Sequence, residues 1–340
     1  MVVLQHAGLF ALGAWAVHVF FILSGYWVTA MWEHSYRKTH LPYFTFMVSR
    51  YWRLLPIYLA CYALITLWFW AKSPLWSDLA AHWMTPSWSL PVLFIIGSSY
   101  APTPLVPTWS LDIEMQFYVV APLLATLIAA GTRWRAPFRQ LGFVALIVAS
   151  AAAYALRAPV GKFLFFFLVG MLLWASRWKS SATWARVSAL GAVAVVAIFY
   201  FVPATHHIVA SPAVGAFYSI RTANEWFSAG LAVLIVPFIA FNVQQRGGHT
   251  LDRHLGNLAY SVYLFHMIPQ LAGEWVLEPR GWPHWLINTA TFSIMAVGSV
   301  LLYVCVDRPF DALRHRWVKS RRKDIEPTPV PASATVSVAG

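Results

Sequence analysis

Charge is scarce in this sequence. Charged residues make up 11% of the 340, and only 12 of them are acidic. Soluble globular domains carry about 25%, so an ordinary soluble enzyme or a charged binding module is excluded. Cysteine is nearly absent as well. Cys61 and Cys305 are the two present, each in or at the edge of an apolar stretch. Without paired external thiols or ligand-like spacing, the readings as a disulfide scaffold and as a cysteine-held metal are both weak, and no metal site is expected. The two thiols are read as small core-like side chains. No internal repeat stands out, no soluble catalytic domain is attached at either end, and no basic segment with a small-residue cleavage site precedes the first apolar run, so that run is not read as a signal peptide.

Apolar residues are abundant: 59% of the chain is hydrophobic and 16% aromatic, with a mean hydropathy of +0.61. A membrane span needs about 20 mainly apolar residues. Nine such stretches are read at roughly 14–32, 47–71, 111–130, 140–156, 160–176, 187–203, 226–243, 257–275 and 284–305, and a further apolar piece fills about the first ten residues. Ten residues of helix rise only about 15 Å, so that piece is expected to be a helix cut short. The fold class is therefore all-α, a polytopic transmembrane bundle of about ten helices with the first truncated. It forms one membrane domain over residues 1–323, followed by a disordered cytoplasmic tail over 324–340, where proline and small residues replace periodicity.

The net charge of +12 invites a nucleic-acid reading, but its distribution argues for lipid instead. Threading the spans alternately leaves all but five of the 24 lysines and arginines on one face, the exceptions being Lys72, Arg157, Lys162, Arg221 and Arg280. The rich face is cytoplasmic by the positive-inside rule, which places the C-terminus inside and the chain in the inner membrane. The basic run Arg314 to Lys323 is read as a headgroup-facing topological anchor. The connection 72–108, rich in proline, is external. Its apolar piece 90–96 is too short to span and is read as interfacial or re-entrant.

Ionisable groups at bilayer depth are costly and mark function by default. Arg50 and Arg53 sit three apart on one helical face at the cytoplasmic start of the span 47–71, where two guanidinium forks can grip phosphate oxygens. The plainer reading is a pair of snorkelling anchors. His6, beside the small pair Ala7-Gly8, can take a proton from a hydroxyl near neutral pH, or be a structural histidine; His18 poses the same choice. Trp109-Ser110-Leu-Asp112-Ile-Glu114-Met-Gln116-Phe-Tyr118 crowds polar groups onto the external start of a span, with Ser110 and Glu114 on one face. Here Ser110 could orient a histidine or a sugar hydroxyl, or simply cap the helix; Asp112 fits a helix-dipole role, Glu114 less well because the apolar run follows it directly. Tyr263 and His266, three apart, are read as a substrate contact or an interhelical hydrogen bond.

Taken in order, these residues resemble the membrane acyltransferase family 3, which includes O-antigen, exopolysaccharide and nodulation-factor acetylases. The resemblance runs through Val2-Val-Leu-Gln-His6, the segment Val19-Phe-Phe-Ile-Leu-Ser-Gly25-Tyr, Arg50-Tyr-Trp-Arg53-Leu-Leu-Pro56-Ile-Tyr58, Trp109 to Pro122, Leu255 to His266 and Asp307-Arg-Pro309. One departure is plain: the family places an arginine eleven positions before its first-helix histidine, and five residues precede His6. The resemblance implies transfer of an acyl group, usually acetyl, from cytosolic acyl-CoA to a hydroxyl of a glycan or lipid-linked sugar. It makes His6 a catalytic residue, as base for the acceptor hydroxyl or as part of an acyl relay, and Glu114 another, with Arg50 and Arg53 the residues for the acyl-CoA co-substrate and Trp109, Ser110, Tyr118, Tyr263 and His266 the acceptor contacts. No bound cofactor and no nucleic acid are expected. A separate extracytoplasmic protein would complete any further transfer. The alternative from another class is a secondary transporter or an acyl- or proton-conducting protein that uses the same buried groups, although the repeats and paired broken helices common in such proteins are not seen.

Overall fold

The computed structural model describes residues 10–72, 95, 105–131, 136–156, 161–210, 218–245 and 250–322, with 69–72, 136–139, 218–221 and 250–253 described by backbone alone. His6, the external connection 73–94 and 96–104, and the tail from 323 lie outside the described residues. Among the described residues the protein is all helix, with a single isolated bridge between Thr39 and Arg322 in place of any strand. Helix α1 spans Gly13–His34, α2 Pro42–Lys72, α3 Thr108–Gly131, α4 Ala136–Ala155, α5 Leu164–Ser176, α6 Ala182–Phe201 and α7 Pro203–Val209. Then follow α8 Tyr218–Leu234, α9 Val236–Val243, α10 Thr250–Phe265, α11 Met267–Ala272, α12 His284–Leu302 and α13 Arg308–Ser320.

Five of these helices, the last comprising α12 and α13 as one body, are long and apolar enough to cross a membrane, or six if the bent pair α8–α9 is one span. The nine expected stretches are helical, but not all as single spans. The stretch 160–176 yields only 13 helical residues in α5, about 20 Å of rise. The stretch 226–243 bends by 44° at Ile235, where Pro237 withholds the N–H that the Val233 carbonyl would receive. The stretch 257–275 breaks at His266, and Pro269 leaves the Phe265 carbonyl without its helical donor in the same way. The last stretch runs the other way and is longer than read: α12 passes through a π-type turn at Tyr303–Asp307 straight into α13.

Side chains on the outside confirm the solvent. Leu123 and Leu127 on α3, Leu190 and Val193 on α6, and Val297 and Leu301 on α12 are exposed, an apolar exterior that water would not tolerate but hydrocarbon does. Cys305 belongs to that exterior, contrary to the core placement expected for it, whereas Cys61 is buried.

The interior is organised by close approach of α1 and α5. A Cβ at Gly25 would overlap the Phe167 carbonyl, and one at Gly170 would overlap the Ile22 carbonyl, so the two backbones touch through their glycines. Around this seam Phe117 stacks on Phe167 with centroids 3.9 Å apart, and Phe21 stacks on Phe167 at 4.6 Å. Helices α2 and α3 pack beside the pair and close a buried aromatic core that includes Phe46, Tyr58 and Tyr118. The start of α1 is pinned by Asn224 of α8, whose side-chain amide donates to the carbonyls of Ala11 (2.6 Å) and Ile208 (2.7 Å).

Candidate active site

The segment that opens α3 carries the densest polar content, and its backbone explains why. The turn Leu105–Pro107 hands the chain to a helix starting at Thr108, whose hydroxyl donates to the Leu105 carbonyl at 2.8 Å. Thr108, not Ser110, therefore closes the turn, and Ser110 lies inside the first helical turn with its hydroxyl turned to other work. It sits 2.7 Å from the Tyr263 phenol of α10, where either group can donate, and both oxygens lie 3.1 Å from the Pro107 carbonyl. Trp109 packs its ring 5.7 Å from Phe163. His266, at the break between α10 and α11, is fully buried, its Nδ1 2.7 Å from the Tyr263 carbonyl.

One turn deeper, Glu114 faces the core. Its Oε1 accepts from Ser24 of α1 at 2.9 Å and from Tyr118. Its Oε2 is buried without a hydrogen-bond partner. A buried carboxylate oxygen left without a donor is costly, and such a group calls for a physical account, a catalytic role among them. Pro122 lies four residues beyond Tyr118 and cannot donate to its carbonyl. Asp112, for which a surface dipole role is the natural reading, is instead fully buried and accepts from Gln116 at 3.0 Å.

Arg50 does not lie at the surface of the bundle. The helix that carries it begins at Pro42 rather than near residue 47, so Arg50 enters two turns deep and is only 7% exposed. Its guanidinium rests 5.6 Å, 5.8 Å and 5.9 Å from the ring centres of Tyr36, Phe46 and Tyr118. It donates to the Tyr36 phenol and meets the Met31 sulfur, both at 3.1 Å. The groups expected on opposite sides of the membrane, Arg50 on one and Glu114 with Tyr118 on the other, are thus brought into one enclosed cluster.

Arg53 takes other hydrogen-bond partners. It pairs with Asp307 at 2.5 Å, donates to Asn257 at 3.2 Å and lies 5.6 Å from the Tyr260 ring centre. The two guanidiniums therefore hold different partners within the protein. Asp307, whose other oxygen has no partner, comes from the π-type turn, an irregularity common at functional sites. Asn257 and Tyr260 fall inside the segment Leu255 to His266, but their partnership with Arg53 bridges some two hundred residues and has no local signal.

His18, left ambiguous by sequence, stacks on Phe166 at 4.1 Å and is buried, with Nδ1 lacking a partner. Among the described residues no group of His, Cys, Asp and Glu could hold a metal ion.

The cluster can do definite chemistry. A fixed cation, a phenol and a half-satisfied carboxylate inside an apolar bundle can orient a hydroxyl and stabilise developing negative charge, since electrostatic effects are stronger where water is excluded. Comparison with known proteins adds to this geometry. Residues 1–306 match the model of a family described as an acyltransferase domain. A protein of Komagataeibacter xylinus that carries the name membrane-bound transacylase BcsY is 28% identical over 332 residues, covering 91% of this chain and 79% of that protein. No solved structure gives a significant match.

Proposed function

The chain belongs to this acyltransferase-domain family, and we propose that it is an integral-membrane O-acyltransferase of the cytoplasmic membrane that moves an acyl group, in the first instance acetyl, from cytosolic acyl-CoA to a hydroxyl of a cell-surface glycan or lipid-linked sugar. The observation that carries the reading is the enclosed set Arg50, Tyr118, Glu114 and Ser24 between α1, α2 and α3. A bundle needs no such cluster for stability, because buried charge costs more than apolar packing of the same volume.

In this reading the acceptor hydroxyl gives its proton to His6, its oxygen attacks the thioester carbonyl, and the thiolate of CoA leaves and is protonated. The role of His6 rests on the family resemblance. Arg50 faces the reacting end of the donor, where a fixed guanidinium offsets charge on the carbonyl oxygen. Arg53, whose side chain is 19% exposed, meets the anionic part of the donor in exchange for Asp307. Glu114 positions the acceptor hydroxyl through its open oxygen, and Ser110, Tyr263, Trp109 and His266 line the approach from the external side. The charge asymmetry of the loops, read by the positive-inside rule with the C-terminus in the cytoplasm, supports donor and acceptor arriving from opposite sides. A transacylase name on a relative fits a group handed on without its carrier, and a separate extracytoplasmic protein would receive any onward transfer.

The test uses the full chain in lipid nanodiscs with acetyl-CoA and a lipid-linked glycan extract. CoA release that depends on the extract is expected, with the acyl group recovered on the glycan by mass analysis. Full acylation by a correctly inserted His6→Ala protein would remove His6 from the chemistry, and absence of acceptor-dependent CoA release from the wild-type protein would remove the reading itself.

A further inference from the structure

A guanidinium enclosed in a bundle needs partners that hold it in place. Among the described residues no carboxylate hydrogen-bonds Arg50; its donors go to the Tyr36 phenol and the Met31 sulfur, and its Nε has no partner. Alongside that sulfur and the side chains of Phe46 and Tyr118 that flank it, its position therefore depends on the Tyr36 hydroxyl. That hydroxyl is itself held, because the Ser49 side chain lies 2.7 Å from the Tyr36 oxygen, and Arg314 of α13 donates to Ser49 at 3.0 Å. All three supporting side chains are buried. Asp311 takes two hydrogen bonds from Arg314, at 3.1 Å and 2.7 Å, which offsets the second cation and leaves Nη1 for Ser49.

We propose that Tyr36, Ser49 and Arg314 are positioning residues that seat Arg50, so that docking of the C-terminal helix is transmitted to the acyl-transfer cluster. Helix α13 is fastened for this task. The His40 amide donates to the Arg321 carbonyl at 2.8 Å, Thr39 bridges Arg322, and Trp317 lies 6.0 Å from Trp52. A helix that only anchored the chain to headgroups would have no use for an arginine buried against a serine two hundred and sixty-five positions away. The inference rests on the acyltransferase reading for its kinetic consequence but not for its geometry.

Two measurements on the full chain in nanodiscs test it. The first is labelling of arginine by phenylglyoxal, mapped peptide by peptide. Arg50 is expected to be protected in the wild-type protein, to label at least about fivefold faster in Tyr36→Phe and Ser49→Ala as local opening becomes easier, and to regain protection in Ser49→Thr, which restores the hydroxyl. Unchanged labelling of Arg50 in Tyr36→Phe and Ser49→Ala overturns the proposal. The second is a double-mutant cycle on acetyl-CoA turnover. Ser49→Ala and Arg314→Gln should each lower kcat/KM by about tenfold in the wild-type background and by less than about twofold beside Arg50→Ala, since residues acting through one another are not additive. Equal losses in both backgrounds also overturn it. Should Arg314→Gln fail to insert, the serine variants carry both measurements. A wild-type protein that turns over no acetyl-CoA defeats the acyltransferase reading alone, and the labelling still decides the relay.

Discussion

Arg53 of α2 and Asp307 of the π-type turn, 254 residues apart, meet as an ion pair at 2.5 Å, with the Asp307 side chain almost wholly enclosed. Removing one member leaves a charge in apolar surroundings, a more serious loss than removing both. Asp307→Ala is expected to cost about 2–4 kcal/mol, and Arg53→Met combined with Asp307→Leu distinctly less. Thermal unfolding in detergent, followed by tryptophan fluorescence, reads the difference; equal destabilisation by the single and double variants would mean the pair has no structural weight.

Glu114→Gln keeps the shape of the side chain and removes its charge. If the open oxygen serves the acceptor, turnover falls by about 10²-fold or more while the melting temperature stays near that of the wild-type protein. Tyr118→Phe, which deletes one of the two donors to the carboxylate, should fall between. Both are measured as acceptor-dependent CoA release, and a Glu114→Gln protein of normal activity would confine the residue to packing.

The Ser110–Tyr263 contact supports a split between kinetic constants. Tyr263→Phe leaves the Ser110 hydroxyl with the Pro107 carbonyl as its remaining contact, so the fold should tolerate it at about 1 kcal/mol. The expected signature is a raised KM for the acceptor with the KM for acetyl-CoA unchanged. A change confined to the donor constant would move the pair to the other substrate.

Glycine substitution separates contact from propensity. Gly170→Ala and Gly25→Ala must push two helix backbones apart and are expected to cost at least about 1–3 kcal/mol, as overpacking does. Gly191→Ala in α6 meets nothing within 4 Å and should stabilise by about 0.5–1 kcal/mol. Yield of folded protein in detergent and the melting temperature report both; equal behaviour of all three would deny the α1–α5 seam its tightness.

The helical membrane class was legible because apolar runs of span length are a local property of the chain. The breaks at Ile235 and His266 were less so, since each depends on a proline whose effect on the helix is decided by what neighbours supply. Glu114 stood out because apolar residues follow it at once, whereas Asp112 carries an ordinary surface signature and its burial comes from the packing of helices around α3. Arg50 and Arg53 were visible as a pair, yet three residues on a helix turn them apart by some 60°, beyond what spacing alone resolves into partners. Ser24, Tyr36, Ser49 and Arg314 are common residue types whose importance comes wholly from contacts across the sequence.

The glycine seam has a mechanical consequence. With Gly25 set against the Phe167 carbonyl and Gly170 against that of Ile22, α1 and α5 are keyed together like the teeth of a closed zip, and neither can slide or roll without collision. Relative sliding of α1 and α5 is therefore closed to the protein, and the proline-interrupted joints at α8–α9 and α10–α11 lie outside that seam.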